Sequence, residues 1–588
     1  MAGELVVIRE SAGFSIVLSI SFSNSKFLKD SLFFEPALQV LICREVGDLF
    51  VVYDSRGINH SSESDIGLGG VISLEEILSL GARTGSIRTK SATSMAIGET
   101  RRRPEGVSWR GRNLEDTHSA QSNASYALST LVVDNLTQQG KAQSSYYLGV
   151  GSGRVTDQKN RNLSLRGLAA WIDDIVDVIN SGNAIGSNLV NSFAKPIANP
   201  PECAPTSLIF DMCDFAEPLV FVSKEERLSV SNDILYLEYD LERNEFVCGV
   251  EWGGVCMHLA YDIKTRMPTV SIGGNFVLLN AQVSSAGLDL KAGQSLESVL
   301  NASVQRVLYL DSSAFYQGRY YKFRLPLEAG FDLDQSSIGR SVIKIDGLLS
   351  PGMDEKGGSA ELVENAFLPN SVFHLIDKIR HVNNSNLRVS DFGPLFPHIP
   401  DVDFLLCTDL NTEPADFIAS SETKLVFIHV KCGTSSVRPK SSAGAIAEVG
   451  GQAIKNMEVL ISPNKDLKFG NYRMLTLPWR LDLTHPEHLK RVRLIHKESP
   501  SGYMERTGLT YENLVDEAWR IFTERRDSLR VDKEIWIVVG NNFSKAHFSE
   551  QMSLGHECAH ESLQAFQLLD SWVATAANND VAFKLFVS

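Results

Sequence analysis

The sequence predicts a multidomain protein in which a β-rich middle domain precedes a C-terminal α/β domain with a mixed sheet. Three observations lead to this prediction. The chain has 588 residues, which is more than one hydrophobic core normally serves. Between residues 207 and 345, short segments rich in branched and aromatic residues follow one another, as is typical of strands. After residue 360, segments with helical spacing alternate with strand-like segments, which indicates helices packed on a sheet.

The N-terminal part divides into two predicted domains, residues 1–125 and 126–350. Apolar and polar residues alternate in short runs over residues 4–53, which predicts a small α/β or β region. The following Ser-, Gly- and Arg-rich stretch, residues 57–112, is expected to consist mainly of loops. Helical spacing over residues 164–182 predicts an amphipathic helix ahead of a sandwich-like set of strands.

The third predicted domain spans residues 360–588. The segment 348–360 is rich in Gly, Ser and Pro and is the best candidate for the linker before it. The elements predicted for this domain are a helix ending near residue 382, strands at 403–408, 415–418 and 424–430, a helix at 443–460, a strand at 472–477, a helix at 510–526, a strand at 534–540, and a final helix and strand.

Composition and cysteine spacing exclude several classes of protein. The chain is 43% hydrophobic and 22% charged, as in ordinary globular proteins. The apolar run Phe14–Phe22 is half as long as the roughly 20 residues of a membrane helix. The N-terminus lacks the layout of a signal peptide, so we expect a cytoplasmic protein without a membrane partner. The eight cysteines form no CxxC pair, which argues against a zinc ribbon or a disulfide framework.

A net charge of −15 requires that any contact with nucleic acid uses a local basic surface. The stretch from Arg83 to Arg112 has eight basic residues and two acidic ones, and it includes Arg101, Arg102 and Arg103. Two interpretations remain open for this stretch, a solvated flexible linker and an arm that contacts DNA.

A constellation near residue 420 points to phosphodiester chemistry. Metal-dependent cleavage of a phosphodiester needs acidic oxygens for a divalent ion and a cation near the attacking water or the phosphate. The segments "DFI" and "KLVFIHVK" place Asp416 at the start of one predicted strand and Lys431 on the next. Since residues two apart on a strand share a face, His429 and Lys431 can lie in one site with Asp416.

These residues resemble the PD-(D/E)xK nuclease superfamily. The likeness is greatest to the nuclease module at the C-terminal end of large bacterial DEAD/DEAH-type helicase polypeptides, many of them linked to phage defence. It rests on "EPADFI" (413–418), "IHVK" (428–431) and "QAIKN" (452–456). The close likeness covers residues 407–460, and a looser one extends to the end of the chain and, more weakly, to the β-rich middle.

The resemblance implies a metal-dependent DNA endonuclease that uses Mg²⁺ or Mn²⁺ in antiphage defence. Asp416 is then a metal ligand, Lys431 the catalytic cation, and Gln452 a contact to phosphate or to metal-bound water. The chain has no P-loop, so a separate helicase or ATPase is the expected partner. Further candidates are Glu413 and Glu448 for the metal, and Lys455, Arg438 and Lys440 for DNA.

His429 departs from the superfamily pattern, which has a carboxylate two residues before the lysine. Imidazole can ligate directly, which favours Mn²⁺ or another softer ion over Mg²⁺, or Glu448 can fill the same space from the helix that carries Gln452. Other acids that are close in sequence or on the preceding helix are Asp409, Glu413, Glu361 and Glu364. A catalytically inactive DNA-binding or assembly subunit with the same fold is the alternative function.

A second motif, His556-Glu557-x-x-His560, matches the HExxH of zinc metalloproteases. On a helix the two histidines would lie on one face, with Glu557 as the general base. No Gly-x-x-His extension follows, and only 28 residues remain to supply a third ligand. The metalloprotease interpretation is therefore disfavoured.

Overall fold

The computed structural model divides the chain into two compact units, residues 1–114 with 122–329 and residues 115–121 with 330–588. The three-domain division stays a prediction. The structure describes residues 5–11, 13–24, 34–54, 87–97, 106–119, 125–136, 142–149, 152–157, 164–180, 188–197, 199–211, 219–222, 227–230, 234–240, 242, 245–247, 256–261, 268–273, 277–278, 304–316, 319–323, 333–334, 336–357, 366–382, 386, 388–410, 413–434, 439–461, 472–479 and 489–588.

In its described residues the first unit consists mainly of antiparallel strands, which agrees with the β-rich middle region predicted from the sequence. Its described strands are β1 (Leu5–Ser11), β2 (Phe14–Asn24), β3 (Phe34–Val46), β4 (Leu49–Asp54), β5 (Ile87–Ala96), β6 (Gly106–Arg110), β7 (Tyr126–Leu136), β8 (Ala142–Gly149), β9 (Ser152–Asp157), β10 (Lys195–Ile197), β11 (Pro205–Asp211), β12 (Leu219–Val222), β13 (Arg227–Val230), β14 (Ile234–Asp240), β15 (Glu245–Val247), β16 (Cys256–Tyr261), β17 (Pro268–Gly273), β18 (Val277–Leu278), β19 (Val304–Tyr309), β20 (Ser313–Tyr316) and β21 (Arg319–Lys322).

Within the described residues these strands form four sheets. Their orders are β1-β2-β3-β4, β6-β5-β7-β8-β9, β10-β21-β20-β19-β11-β14-β15-β16-β17 and β13-β12-β18. Helices are α1 (Leu114–Thr117), where the chain passes from one unit to the other, α2 (Leu165–Asn180) and α3 (Asn188–Asn191). Helix α2 confirms the amphipathic helix predicted at 164–182, and its residues Ile172 and Val176 pack with Phe14 of the first sheet.

The loop-rich prediction for residues 57–112 is wrong for the part that the structure describes. Strands β5 and β6 pair there in antiparallel fashion, with Ser91 opposite Arg110. The buried positions of β5 include Thr89, Ala92 and Ser94, which are small or polar. Apolar alternation therefore did not reveal the strand. Arg101, Arg102 and Arg103 lie outside the described residues.

The second unit holds a seven-stranded mixed sheet. Its strands are β22 (Val342–Lys344), β23 (Phe404–Cys407), β24 (Phe417–Ser420), β25 (Lys424–Cys432), β26 (Val492–Ile495), β27 (Asp532–Gly540) and β28 (Val581–Val587). Their order is β22-β28-β27-β25-β24-β23-β26. The first four strands in this order are parallel, and β24, β23 and β26 continue the sheet in antiparallel pairs. This sheet confirms the mixed α/β architecture predicted for the C-terminal region.

Helices cover the strands of this sheet. They are α4 (Ser337–Ser341), α5 (Val372–Asp377), α6 (Ala443–Ile461), α7 (Pro500–Thr507), α8 (Tyr511–Asp527), α9 (Lys545–Ser553) and α10 (His560–Asn578), with 3₁₀ turns at Lys378–His381, Val389–Phe392, Phe396–His398, Tyr472–Thr476 and Gly555–Glu557. Local signals set several ends: Thr510 caps α8, and α7 stops at Gly508, whose φ is 73°. None of the described helices is both long enough and apolar enough to cross a membrane.

Strand β25 separates two packing layers. Val426, Ile428 and Val430 belong to the core cluster that includes Phe373 of α5. Phe427, on the opposite face, stacks on Phe522 of α8. Because side chains alternate along a strand, His429 and Lys431 share the face of Phe427.

Two local predictions for this unit are wrong. The strand expected at 472–477 is a 3₁₀ turn, in which Met474 is exposed and Leu475 is buried. The position beside β23 is taken by β26, which is the last described strand on that side of the sheet. The expected linker at 348–360 is folded as far as it is described: Asn541 binds Ser350, and Val372 N donates to Asp354 O at 3.0 Å.

Two adjacent glycines of α6, Gly450 and Gly451, should respond in opposite ways to replacement by alanine. A Cβ on Gly450 would lie 2.1 Å from the Trp572 ring, whereas one on Gly451 meets nothing within 4 Å. We expect Gly450→Ala to destabilise the second unit by about 1–3 kcal/mol through overpacking, and Gly451→Ala to stabilise it by about 0.5–1 kcal/mol. Chemical denaturation of the two variants beside the wild type measures both values. Equal effects of the two substitutions would contradict the packing of α6 on α10.

Candidate metal centre

The chain between β23 and β24 folds back on itself and gathers three carboxylates. Thr408 N donates to the Asp416 carbonyl at 2.8 Å, and Asp416 N donates to the Ile428 carbonyl at 3.0 Å. Both bonds extend the sheet just beyond the strand ends, and the first joins the two ends of the segment that carries Asp409 and Glu413. One oxygen each from Asp409, Glu413 and Asp416 lies within 4.8 Å of the others.

Each carboxylate of this acidic triad is held by hydrogen bonds. Asp409 accepts from the indole N–H of Trp479 at 2.7 Å and forms a 2.7 Å ion pair with Lys356. Glu413 accepts from the backbone N–H of Leu410 at 3.0 Å. Asp416 accepts from the backbone N–H of Val430, on the next strand, at 2.8 Å. The triad is therefore fixed to the sheet rather than mobile on the surface.

The electrostatics of the triad favour binding of a cation. Burial raises the pKa of Asp416 well above its ordinary value, and repulsion from Asp409 adds to this effect. Burial also raises the pKa of Glu413. A divalent ion would offset the repulsion between these groups. The all-oxygen donor set suits a hard cation, and donors within 4.8 Å need only small movements to share an ion at about 2.1 Å.

Lys431 lies near the end of β25 and is paired with α6. Its ammonium lies 2.7 Å from Glu448. Hydrogen bonding to Glu448 is the main cause that raises the pKa of Lys431, and the charges of Glu355 and Asp416 act in the same direction. Lys431 therefore remains protonated at neutral pH and faces carboxylates from three separate segments of the chain.

Helix α6 carries one row of polar side chains along this site. Glu448, Gln452 and Asn456 follow one another at intervals of four residues and so lie on one helix face. Glu448 reaches Lys431 at one end, and Asn456 donates to the Glu413 carbonyl at 3.2 Å at the other. Gln452, which is exposed, lies on this row between the two contacts, and its role stays a prediction.

His429, two residues before Lys431 on β25, is buried, and the residue is only 3% exposed. Burial lowers the pKa of His429 to about 4, so the ring is neutral. Its Nε2 has no hydrogen-bond partner among the described residues. Neither His429 nor Glu448 belongs to the acidic triad within that part of the chain. The structure thus brings together Asp409, Glu413 and Asp416, and it separates the two candidates for the missing carboxylate from them.

Two residues near the triad were missed in the sequence. Glu355 accepts from Cys432 N, next to Lys431, at 3.3 Å, and Lys356 reaches Asp409. Both lie in the segment expected to be a linker. The glycine that follows, Gly357, has a φ of 118°, and a Cβ there would approach Leu368 to 2.8 Å. The glycine signal marks a tight turn rather than a flexible connection. The adjacent charges "DEK" inside a Gly-rich stretch were the available clue.

The remaining candidates are scattered or lie outside the described residues. Lys440 and Lys455 are exposed, Lys440 just before α6 and Lys455 on that helix. Arg438, Glu361 and Glu364 lie outside the described residues, as do the three basic residues at 101–103.

The HExxH motif does not have the geometry of a zinc protease. His556 and Glu557 lie in a 3₁₀ turn, and His560 is the first residue of the next helix, α10. Cys558, between them, is extended with a φ of −64° and a ψ of 152°. The two histidines are therefore not one turn apart on a continuous helix, which removes the basis for this interpretation.

Comparison with known proteins did not identify a relative of this chain. No family model, no curated protein and no solved structure matches the chain.

The burial of His429 predicts a pH-dependent loss of stability. Its pKa falls from about 6.5 in the unfolded chain to about 4 in the fold. The unfolded chain thus binds more protons between these values, and stability decreases as pH falls through that window, by up to about 3 kcal/mol. We expect His429→Gln to lack this contribution. Denaturation of both proteins between pH 7 and pH 4.5 measures this contribution: the difference in unfolding free energy between the wild type and His429→Gln should decrease as pH falls. Parallel stability profiles would contradict a buried neutral imidazole.

Proposed function

We propose that this protein is a metal-dependent endonuclease that cleaves phosphodiester bonds of DNA with Mg²⁺ or Mn²⁺. One observation carries the proposal: three carboxylates on the turn between β23 and β24 meet within 4.8 Å, with a protonated lysine at the end of the adjacent strand. This combination of oxygen donors and a cation is what phosphodiester hydrolysis requires. The resemblance of residues 407–460 to PD-(D/E)xK nucleases points to the same chemistry.

In the proposed mechanism, Asp416, Glu413 and Asp409 would hold the metal. A divalent ion bound there would make a bound water more acidic and offset charge on the phosphate. Lys431 orients the attacking water and stabilises the negative charge that develops at phosphorus. Glu448 keeps the lysine in place through their 2.7 Å ion pair.

The missing carboxylate of the PD-(D/E)xK pattern has a simple account within this proposal. His429 is neutral and buried, so it acts as a packing residue of β25 rather than as a ligand. Its place among the metal ligands is taken by Asp409 and Glu413, which reach the centre from the preceding turn.

The surroundings of this activity follow from the resemblance. We propose DNA as the substrate, with Gln452 and Lys455 of α6 and Lys440 just ahead of it as backbone contacts. We also propose a separate helicase or ATPase partner that delivers the DNA, and a role in defence against phage in the bacterial cytoplasm. The N-terminal 350 residues are then the docking region for that partner.

Cleavage of plasmid and oligonucleotide DNA, with and without a neighbouring-gene helicase, tests the proposal. We expect cleavage in Mg²⁺ or Mn²⁺ that stops when EDTA is added and resumes when metal is restored. Unchanged DNA binding without cleavage under every condition would favour the alternative, an inactive DNA-binding or assembly subunit. Cleavage that persists in EDTA would contradict the metal centre.

A further inference from the structure

Lys356 brings a positive charge into the acidic triad from a distant part of the chain. Its Nζ lies 2.7 Å from Asp409 Oδ1, and its side chain is 32% exposed. The charges of Asp409, Asp416 and Glu355 together raise the pKa of Lys356 against the effect of its burial. The ammonium thus interacts with all three triad members, because its charge also acts on Glu413.

The backbone around Lys356 holds this charge in position. Phe373 N donates to the Glu355 carbonyl at 3.1 Å, at the start of α5. The Lys356 ammonium also lies 5.7 Å from the centre of the Phe373 ring. The lysine is thus attached to α5, whereas the triad belongs to the turn between β23 and β24.

Both carboxylate oxygens of Asp409 have a bonding partner. Oδ1 is paired with Lys356, and Oδ2 accepts from Trp479 at 2.7 Å. Trp479 is neutral and almost fully buried, so its hydrogen bond does not repel an incoming cation. Lys356 does repel one, because its positive charge lies 2.7 Å from a carboxylate oxygen of the triad.

We propose that Lys356 is a built-in cation of the triad, which a divalent metal must displace from Asp409 and which thereby sets the metal affinity of the site. This inference rests on the proposed function, because it concerns the same centre. In the absence of metal, Lys356 offsets the repulsion between the carboxylates. When metal binds, the flexible side chain moves away while its backbone stays attached to α5.

Metal titration of the full chain separates this role from that of a structural ion pair. Isothermal titration with Mn²⁺ and Mg²⁺ at pH 7.5 compares the wild type with Lys356→Met, Lys356→Arg and the control Lys344→Met. Lys344 is 62% exposed and pairs with Asp346 rather than with the triad. We expect Lys356→Met to bind metal about tenfold more tightly, Lys356→Arg to resemble the wild type, and Lys344→Met to leave affinity unchanged.

Thermal unfolding supplies a second readout that does not depend on catalysis. Without metal, Lys356→Met should unfold at a lower temperature than the wild type, and saturating Mn²⁺ should raise its Tm more than that of the wild type. If Lys356→Met does not fold, Lys356→Gln, which keeps a polar end group, replaces it in both measurements.

The outcomes distinguish this inference from the proposed function. Metal binding by the wild type with equal or weaker affinity in Lys356→Met overturns the displacement role and leaves the nuclease proposal standing. Absence of metal binding in the wild type, with binding in Lys356→Met, supports the inference. Absence of binding in both proteins overturns both.

Discussion

Asp416→Asn should reduce the rate of DNA cleavage by about 10³-fold or more, because it removes a charged ligand from the proposed metal centre. The substitution keeps the shape of the side chain, and the amide oxygen can still accept from Val430 N, which donates to Asp416 at 2.8 Å. The loss should therefore reflect charge rather than unfolding.

Although Asp416→Asn should lose activity, its stability without metal should be equal to or greater than that of the wild type. The pKa of Asp416 is raised by burial and by Asp409, so the ionised carboxylate is less favourable in the fold than in the unfolded chain at neutral pH. Without metal, Asp416→Asn should then unfold at a temperature equal to or above that of the wild type. With saturating Mn²⁺ the order should reverse.

A matched acid provides the control for this prediction. Asp346 is 95% exposed and lies next to β22, outside the triad. Asp346→Asn should retain both the cleavage rate and the Tm shift in metal. Cleavage by Asp416→Asn at the wild-type rate would exclude the triad as the active centre, and a large loss of Tm without metal would indicate a structural role.

The central strands could be predicted because their sequence carries a local signal. The run before His429 is continuously apolar, and β25 is indeed paired on both sides within the sheet. Asp416 and Lys431 were predicted from their positions at the ends of two adjacent strands, and the structure brings both to one edge of that sheet. Helix α6 was predicted because its apolar residues recur at helical spacing over five turns.

The parts that were missed depend on contacts between distant residues. Glu355 and Lys356 are more than 50 residues from Asp409 in sequence, and only the packing of their segment against α5 carries them to the site. That segment is as rich in glycine as a flexible linker, so its composition alone could not reveal the tight turn at Gly357. The burial of His429 likewise depends on α6 covering β25, which residue types within the strand do not report.

The choice between His429 and Glu448 as the missing ligand illustrates the same limit. Spacing on the helix made Glu448 attractive, since it lies four residues before Gln452. The structure gives Glu448 a partner of opposite charge, Lys431, and leaves its side chain 66% exposed. We therefore expect Glu448 to position the Lys431 ammonium rather than to hold the metal. This difference leads to a second large prediction.

Lys431→Met should lower the cleavage rate by about 10²- to 10³-fold while leaving metal affinity within a few-fold of the wild type. Methionine keeps the apolar body and most of the length of the side chain but cannot stabilise charge at phosphorus. Single-turnover cleavage at saturating Mn²⁺ measures the rate, and titration of metal measures the affinity. A large loss of affinity with an unchanged rate at saturation would instead make Lys431 an organiser of the metal centre.

Glu448→Gln is the matched variant, because it removes the partner of Lys431 without removing the ammonium. If Glu448 positions Lys431, the rate should fall by less than about tenfold, since an exposed ion pair contributes about 1 kcal/mol or less, and metal affinity should not change. If Glu448 is a metal ligand, its loss should resemble that of Asp416→Asn in both rate and affinity. Comparison of Glu448→Gln with Asp416→Asn therefore shows whether Glu448 supplies the carboxylate that the PD-(D/E)xK pattern places at position 429. Both substitutions preserve the length of the side chain.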